Sequence, residues 1–264
     1  MLSAPSRFAL LALVAALAAA PTSAEAQKKK PKLKPACGMR MLPMAEGVQW
    51  TYQYFVPEGV QLPPGVRIQE PPSVTIKVVK IEKSGDKTLV SLEESYRKVV
   101  VKTQIECDKK GLTIPPESFF FAGQPGGGLQ MTLGKIERKS ETNVFAGGGL
   151  KGEAFEELKT TATRVPSEGS GAVLVPAKLE IERKMVVNGA RETIESGIKT
   201  HKAVSRLTIN MTGRATLDTT PDKPFNMPQL DVAMYFEQDT GVVVARNSLG
   251  QGWKLSEFKT GAPE

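Results

Sequence analysis

The chain has 264 residues, of which 40% are hydrophobic and 24% charged, and its formal net charge is +7. No stretch beyond residue 26 approaches the roughly 18 consecutive apolar residues of a membrane-spanning helix, which argues against an integral helical membrane protein. The chain beyond residue 26 is long enough for one all-β domain with a sizeable core or for two small domains. We expect one domain, over residues 41–260.

Residues 1–26 have the pattern of an export signal. Arg7 precedes an apolar run, Phe8–Ala20, which is shorter than the roughly 20 residues needed to cross a bilayer. Ala24 and Ala26 form an A-x-A cleavage site. We therefore predict a signal peptide over residues 1–26 and a protein of the periplasm, the outer envelope or the extracellular space.

A lysine-rich tail over residues 27–40 comes next and supplies five of the seven net positive charges. Its lysines are Lys28, Lys29, Lys30, Lys32 and Lys34. Because the tail has little to bury, we predict that it is disordered. Two functions stay open: attraction to an anionic membrane surface, lipopolysaccharide or nucleic acid, or a solvated spacer. Lysines directly after a signal are also unfavourable for translocation.

Alternation of apolar and polar residues dominates the rest of the chain and predicts strands with one buried face. The pattern is clearest over 99–107, where Val99, Thr103, Ile105 and Cys107 share one face. In chain order the predicted strands are Val48–Val56, Val74–Ile81 with a bulge at Val78–Val79, Leu89–Tyr96, Val99–Cys107, Leu129–Glu137, Leu179–Val187 interrupted by Arg183, Leu207–Leu217, Val232–Glu237, Val242–Arg246 and Trp253–Phe258.

Turn residues between these runs predict antiparallel neighbours. They are Ser84–Asp86, Asp108–Gly111, Asn188–Gly189 and Thr240–Gly241. Glu153–Lys159 fits either a helix or a strand. The predicted fold class is therefore all-β, a mainly antiparallel sheet of about 10 to 12 strands, curled into a half-barrel or folded as a sandwich, with little helix.

The chain contains two cysteines, Cys37 and Cys107. In an oxidising compartment an even count favours one disulfide. The link would close a loop of about 70 residues and stabilise the fold by roughly 4 kcal/mol in the chain-entropy model. Two separate thiols or a metal pair are the alternatives, but two cysteines without a nearby histidine cannot complete a zinc site.

Catalytic motifs are not evident, so we predict no enzyme, no cofactor and no metal. His201 is the only histidine, and its lysine neighbours favour an exposed strand end or turn. The spacing of Gly147, Gly149 and Gly152 matches G-x-G-x-x-G, but no βαβ unit surrounds it. Adjacent acids at 93–94 and 156–157 fit solvated charges better than a glycosidase pair.

Trp50, Tyr52 and Tyr54 share one face of the first strand. They fit large core anchors, and they are also candidates to line a cavity for an apolar ligand or to stack on sugars. A nucleic-acid platform would interleave basic residues with them, and this segment has none, so we expect no nucleic acid.

Both ends of the predicted domain resemble exported bacterial proteins. Residues 41–52, Met-Leu-Pro-Met-Ala-Glu-Gly-Val-Gln-Trp-Thr-Tyr, resemble a Pro-Leu-x-x-Gly-x-x-Trp-x-Tyr start, and residues 235–244 with 253–258 look like the closing hairpin and final strand of the same group. The group is similar to TapB-like and other periplasmic domains of unknown function. The resemblance implies a half-barrel, as in the lipoprotein-carrier proteins, and an envelope location. It transfers no catalytic residue.

We therefore expect a non-catalytic envelope protein that binds an apolar or lipid-like molecule, such as a lipid or a lipoprotein acyl chain, in a curved β-sheet. The alternative is a structural or interaction protein tethered to anionic surfaces by the lysine tail. An enzyme would need His201 or paired carboxylates to converge in a cleft. The oligomeric state is left open.

Overall fold

The computed structural model describes residues 34–60, 71–128, 131–140, 142–164 and 176–261. The predicted signal peptide and all the tail lysines except Lys34 lie outside these residues. Within them the strands are β1 Gln49–Phe55, β2 Ser73–Ser84, β3 Lys87–Tyr96, β4 Val99–Asp108, β5 Gly111–Thr113, β6 Met131–Leu133, β7 Glu137–Ser140, β8 Glu153–Arg164, β9 Ala177–Glu195, β10 Thr200–Leu217, β11 Phe225–Asn226, β12 Leu230–Glu237, β13 Gly241–Asn247 and β14 Gly252–Lys259. One α-helix, α1, covers Phe119–Ala122.

All of these strands belong to one antiparallel sheet in the described part of the chain, which confirms the predicted all-β class. The strand order is β5-β4-β3-β2-β1-β14-β13-β12-β10-β9-β8-β6, with β11 paired to β10 and β7 to β8. The first and last strands therefore meet near the middle. One half, β1 to β5, is a run of sequential neighbours, and the other follows the chain order except for the short strands β11 and β7, which pair with β10 and β8 off the main path. Between the edge strands β5 and β6 the sheet stays open, so it is a curled sheet and not a sandwich.

Most predicted strands are confirmed within a few residues, and the bulge in β2 is confirmed as a register shift between Val78 and Lys80. Three details differ. Of the predicted strand 129–137, residues 129 and 130 lie outside the described residues, and the rest contains β6 and the first residue of β7. The ambiguous segment at 153–159 begins the strand β8. The turn predicted at Asn188–Gly189 is wrong, because β9 continues to Glu195 with Asn188 paired to Arg206 of β10.

The disulfide between Cys37 and Cys107 is confirmed, with the two Cα atoms 6.3 Å apart. It ties the segment before β1 to the end of β4, across 70 residues of sequence. Cys107 is buried, as the alternation in β4 predicted.

The core lies on the concave face of the sheet and is completed by α1. Ser118 caps the helix by accepting a hydrogen bond from the backbone N–H of Phe120, and Gly123 ends it in the left-handed conformation. A side chain at Gly123 would collide with Ala245 of β13, so the end of the helix packs directly against the sheet. None of the helices that the structure describes is both long and apolar enough to cross a membrane.

Candidate functional site

The helix α1 is a plug in the hollow of the curled sheet. Its side chains, Phe119, Phe120, Phe121 and Ala122, are all fully buried. Phe119 stacks on Tyr52 with ring centroids 4.6 Å apart, and Phe120 meets Trp50 edge-on at 5.4 Å. We call residues 118–123 the plug. It occupies the place where the sequence led us to expect a ligand.

Glu94 of β3 holds the N-terminal end of the plug. Its carboxylate accepts hydrogen bonds from the Ser118 hydroxyl at 2.6 Å, the Phe119 backbone N–H at 2.8 Å and the Thr103 hydroxyl at 3.4 Å. Burial raises the pKa of Glu94 to about 7, and these three hydrogen bonds oppose the rise. The expectation of a solvated charge at Glu94 is therefore wrong, since the side chain lies on the inner face of its strand.

Arg183 of β9 holds the other end. One guanidinium nitrogen donates to the backbone carbonyl of Phe121 at 2.6 Å, and the guanidinium lies over the Phe121 ring, 3.7 Å from its centroid. Its remaining nitrogens donate to Glu156 of β8 at 2.6 and 3.1 Å. Burial lowers the pKa of Arg183 to about 10, although Glu156 beside it acts in the opposite direction.

The buried pair also corrects two sequence-based expectations. Glu156 is buried, not solvated, and Arg183 does not interrupt its strand, because it lies on the same inner face as Ile181 and Met185. A second cation, Arg138, lies 3.7 Å from Glu156 and donates to the carbonyl of Ile114 in the segment that leads to the plug. The C-terminal end of the plug is thus fixed by a three-residue ionic network.

Glu94 and Arg183 belong to opposite halves of the sheet, since β3 lies on one side of the central β1–β14 pair and β9 on the other. Removing two such groups from water costs several kcal/mol each unless they are paired and hydrogen-bonded. Four apolar residues need no ionised partners to stay in a core. We conclude that the polar contacts define one position for the plug across the hollow.

The three predicted ligand-binding residues line the sheet beneath and beside the plug. Trp50 and Tyr52 are fully buried, and their polar atoms donate to the carbonyls of Thr240 at 2.6 Å and Val242 at 3.0 Å. Tyr54 is half-buried. In this conformation Trp50 and Tyr52 contact the plug, so a bound molecule would reach them only after the plug moves. The tail residue Lys34 is exposed.

A second cluster surrounds the sole histidine, which is fully buried, so the predicted exposed position is wrong. The Nε2 atom of His201 lies 2.7 Å from the Ser196 hydroxyl, and Nδ1 lies 3.0 Å from a carboxylate oxygen of Glu237. Burial of Glu237 acts to raise its pKa, but Thr240, His201 and Lys199 outweigh this and lower it. The three side chains have the order of a serine, base and acid triad.

The surroundings of this cluster do not favour catalysis. Nδ1 of His201 is within ion-pair distance of Glu237, but the geometry between them falls short of a well-directed hydrogen bond. The backbone N–H of Ile198 donates to the Ser196 hydroxyl itself, and that of Gly197 donates to the carbonyl of Leu255. These two N–H groups are therefore not available to a developing oxyanion. The cluster cross-links the β9–β10 turn to the end of β12.

The depressions on the surface are open, and charged residues line each of them. One of about 490 Å³ is lined by Glu182, Thr212 and Arg214, and one of about 320 Å³ by Arg206, Asp231 and Arg246, among others. Both are open surface features with charged residues in their lining, whereas an acyl chain is best held in an enclosed apolar cavity. The interior under the plug remains the better candidate for such a ligand.

Sequence reasoning missed the plug and the two residues that hold its ends, Glu94 and Arg183, which we call its clamps. A signal for the plug exists in the sequence, because Ser118, three phenylalanines and Ala122 form an apolar block between a helix-capping serine and Gly123. The clamps carry no local signal, since Glu94 and Arg183 are distant in sequence from the groups they bind.

No family model matches the chain, and no curated protein does. Two solved structures resemble it. One is a predicted exported protein with a YmcC-like fold from Bacteroides fragilis, with 11% identity, a TM-score of 0.46, and coverage of 83% of this chain and 98% of that one. The other is a predicted lipoprotein from Parabacteroides distasonis, with 12% identity, a TM-score of 0.44, and coverage of 84% and 99%. At these values neither likeness assigns a family or a function, and the TapB-like resemblance stays a prediction.

Proposed function

We propose that the protein is a non-catalytic exported protein that binds an apolar or lipid-like molecule on the concave face of its sheet, in exchange for the plug. One observation supports this above all: the plug is only four helical residues long, yet a buried ionisable group from each half of the sheet binds one of its ends. Such a segment has two defined states, clamped or released.

The chemistry of the vacated surface suits an acyl chain. A buried phenylalanine covers about 150–250 Å² of apolar surface, so three of them leave a hydrophobic trough large enough for a single chain. Trp50 and Tyr52 form part of its floor through their contacts with Phe120 and Phe119. The polar atoms of both residues are already satisfied within the sheet, so the part of the floor that they form is apolar.

Release of the plug sets the affinity. A molecule that binds only the released state must supply the free energy of breaking the contacts of Glu94 and Arg183. Weakening either clamp therefore strengthens binding, provided that the sheet stays folded. Removing a contact that holds the plug therefore increases the affinity for the ligand, whereas removing a contact with the ligand itself decreases it.

Native mass spectrometry and titration with palmitic acid test the proposal. We expect one bound chain, tighter binding by Arg183→Met and Ser118→Ala than by the unchanged protein, and no change for Arg214→Met, which removes an exposed arginine from the outer face of β10. Failure of the unchanged protein and of both clamp variants to bind palmitic acid or to yield a co-purifying lipid would refute it.

The alternative function, tethering through the lysine tail to an anionic surface, rests on residues 28–34. Of these only Lys34 lies among the described residues, so this alternative stays a prediction from the sequence. Its test is loss of salt-sensitive vesicle binding when residues 28–34 are deleted.

A further inference from the structure

Three segments come together at one end of the sheet, at the mouth of the hollow. They are the end of β1, the turn from β3 to β4 and the turn from β13 to β14. The register places them together, because Tyr54 is paired with Trp253, and Val74 of β2 is paired with both Tyr52 of β1 and Tyr96 of β3. We call residues 54–55, 96–102 and 249–254 the rim patch. Cys37 lies at the opposite end, where it is bonded to Cys107.

Aromatic side chains form the base of the rim patch. Trp253 meets Tyr54 edge-on at 5.3 Å and Tyr96 at 5.8 Å, and Phe119 of the plug lies 6.4 Å below it. Tyr54 and Tyr96 are half-buried. Half-buried tyrosines with a polar tip are typical of protein surfaces that meet the bilayer interface.

Apolar side chains project from the two turns. Val99 is 49% exposed, Val100 57% and Leu249 63%. Isolated exposed apolar residues are ordinary. These three, however, flank one aromatic cluster at one end of the molecule, and Leu249 is more exposed than the other large apolar residues that the structure describes.

The charges of the rim patch have one sign. Its four charged residues are all basic, Arg97, Lys98, Lys102 and Lys254, and it contains no aspartate or glutamate. Arg97 and Lys254 lie over the rings of Tyr96 and Phe55, at 5.1 and 5.9 Å from the centroids. Two acids lie just outside the patch: Glu93 is 3.4 Å from Lys102, and the exposed Glu58 follows Pro57, which lies against Gly250. Exposed valines and leucine between cations and tyrosines complement a layer of phosphate headgroups above acyl chains.

We propose that the rim patch docks on the surface of an anionic lipid bilayer. Val99, Val100 and Leu249 enter the boundary between headgroups and acyl chains, and Arg97 and Lys254 lie at the phosphates. Docking in this orientation places the mouth of the hollow against the membrane. Docking requires neither the release of the plug nor a bound acyl chain, so it can be tested independently of the proposed function.

Co-sedimentation with phosphatidylcholine vesicles, with and without phosphatidylglycerol, tests the docking. We expect binding to the vesicles that contain phosphatidylglycerol. The double variant Val100→Ser/Leu249→Ser should weaken it at least about tenfold, because two large apolar side chains no longer leave water. The matched control Val79→Ser/Ile198→Ser alters two exposed apolar residues outside the rim patch and should bind like the unchanged protein.

A charge variant separates the rim patch from the tail. Arg97→Gln/Lys254→Gln should weaken binding and reduce its dependence on salt, whereas a variant lacking residues 27–33 should retain most of the binding. The inference is overturned if the unchanged protein does not bind the anionic vesicles, or if binding disappears with residues 27–33 and persists in both rim variants. Palmitic acid binding measured without vesicles should be the same in the rim variants and the unchanged protein.

Discussion

Glu94 accepts a hydrogen bond from the backbone N–H of Phe119, and Arg183 donates one to the carbonyl of Phe121, two residues further along the same short helix. The acid binds the end of the helix that presents N–H groups, and the base binds the end that presents carbonyls. Both contacts are buried, so each is stronger than its counterpart at a surface. The position of the plug therefore depends on two side chains that belong to different halves of the sheet.

The first prediction concerns the pH dependence of stability through Glu94. Its pKa in the folded protein is about 7, above the unfolded value near 4.5, so the folded state binds more protons between these values. The free energy of unfolding should therefore fall as pH rises from 4.5 to 7, by about 3 kcal/mol for this group. Urea titrations across this range should show that Glu94→Gln removes most of the slope. An equal slope in both proteins would contradict the burial of Glu94.

The second prediction concerns the buried ion pair. Arg183→Met leaves Glu156 without its closest partner and frees the carbonyl of Phe121, so we expect a loss of about 3–5 kcal/mol in urea unfolding. The double variant Arg183→Met/Glu156→Gln should recover part of this loss, because no buried charge is left unpaired. Additive effects of the two substitutions would show that the pair does not interact.

The alternation of residues predicts much of this fold and fails at identifiable places. It locates most strands because each has one face on the core. It fails at Arg183, where a charged residue among apolar ones suggests that the strand is interrupted. The strand continues, and the Arg183 side chain lies on the same inner face as its apolar neighbours. The groups that make its burial tolerable are the Glu156 carboxylate, 27 residues away in sequence, and the carbonyl of Phe121, 62 residues away.

The plug and the histidine escape sequence reasoning for other reasons. A four-residue helix is too short to show a helical period, and its position depends on the curvature of the whole sheet. The sequence suggests that His201 is exposed, because lysines flank it. Its ring is buried between the Ser196 hydroxyl and the Glu237 carboxylate, which meet there only once β9, β10 and β12 are assembled. Neighbours in sequence therefore predict the wrong environment.

The third prediction concerns this histidine cluster. Because the neighbouring backbone N–H groups are already engaged, a fluorophosphonate probe should leave Ser196 unlabelled, and Ser196→Ala should retain every binding property of the unchanged protein. His201→Gln should lower the unfolding free energy instead. Stoichiometric labelling detected by intact mass, and abolished by both Ser196→Ala and His201→Gln, would establish a nucleophilic serine and refute the non-catalytic assignment.

The fourth prediction concerns the disulfide. Replacing Cys37 and Cys107 by serine removes a link across 70 residues and should cost about 2–5 kcal/mol, measured by urea unfolding. Reduction of the unchanged protein should cause a similar loss and have no effect on the serine variant. If the reductant destabilised the unchanged protein and the serine variant equally, its effect would not come from this disulfide, and the prediction would be contradicted.

Hydrogen exchange at the plug tests the central claim most directly. With palmitic acid present, the amides of Phe119, bound to Glu94, and Gly123, bound to the Phe119 carbonyl, should exchange faster, while the amides of β1 keep or gain protection. A chain that binds while both plug amides stay as protected as before would contradict the exchange of plug for ligand.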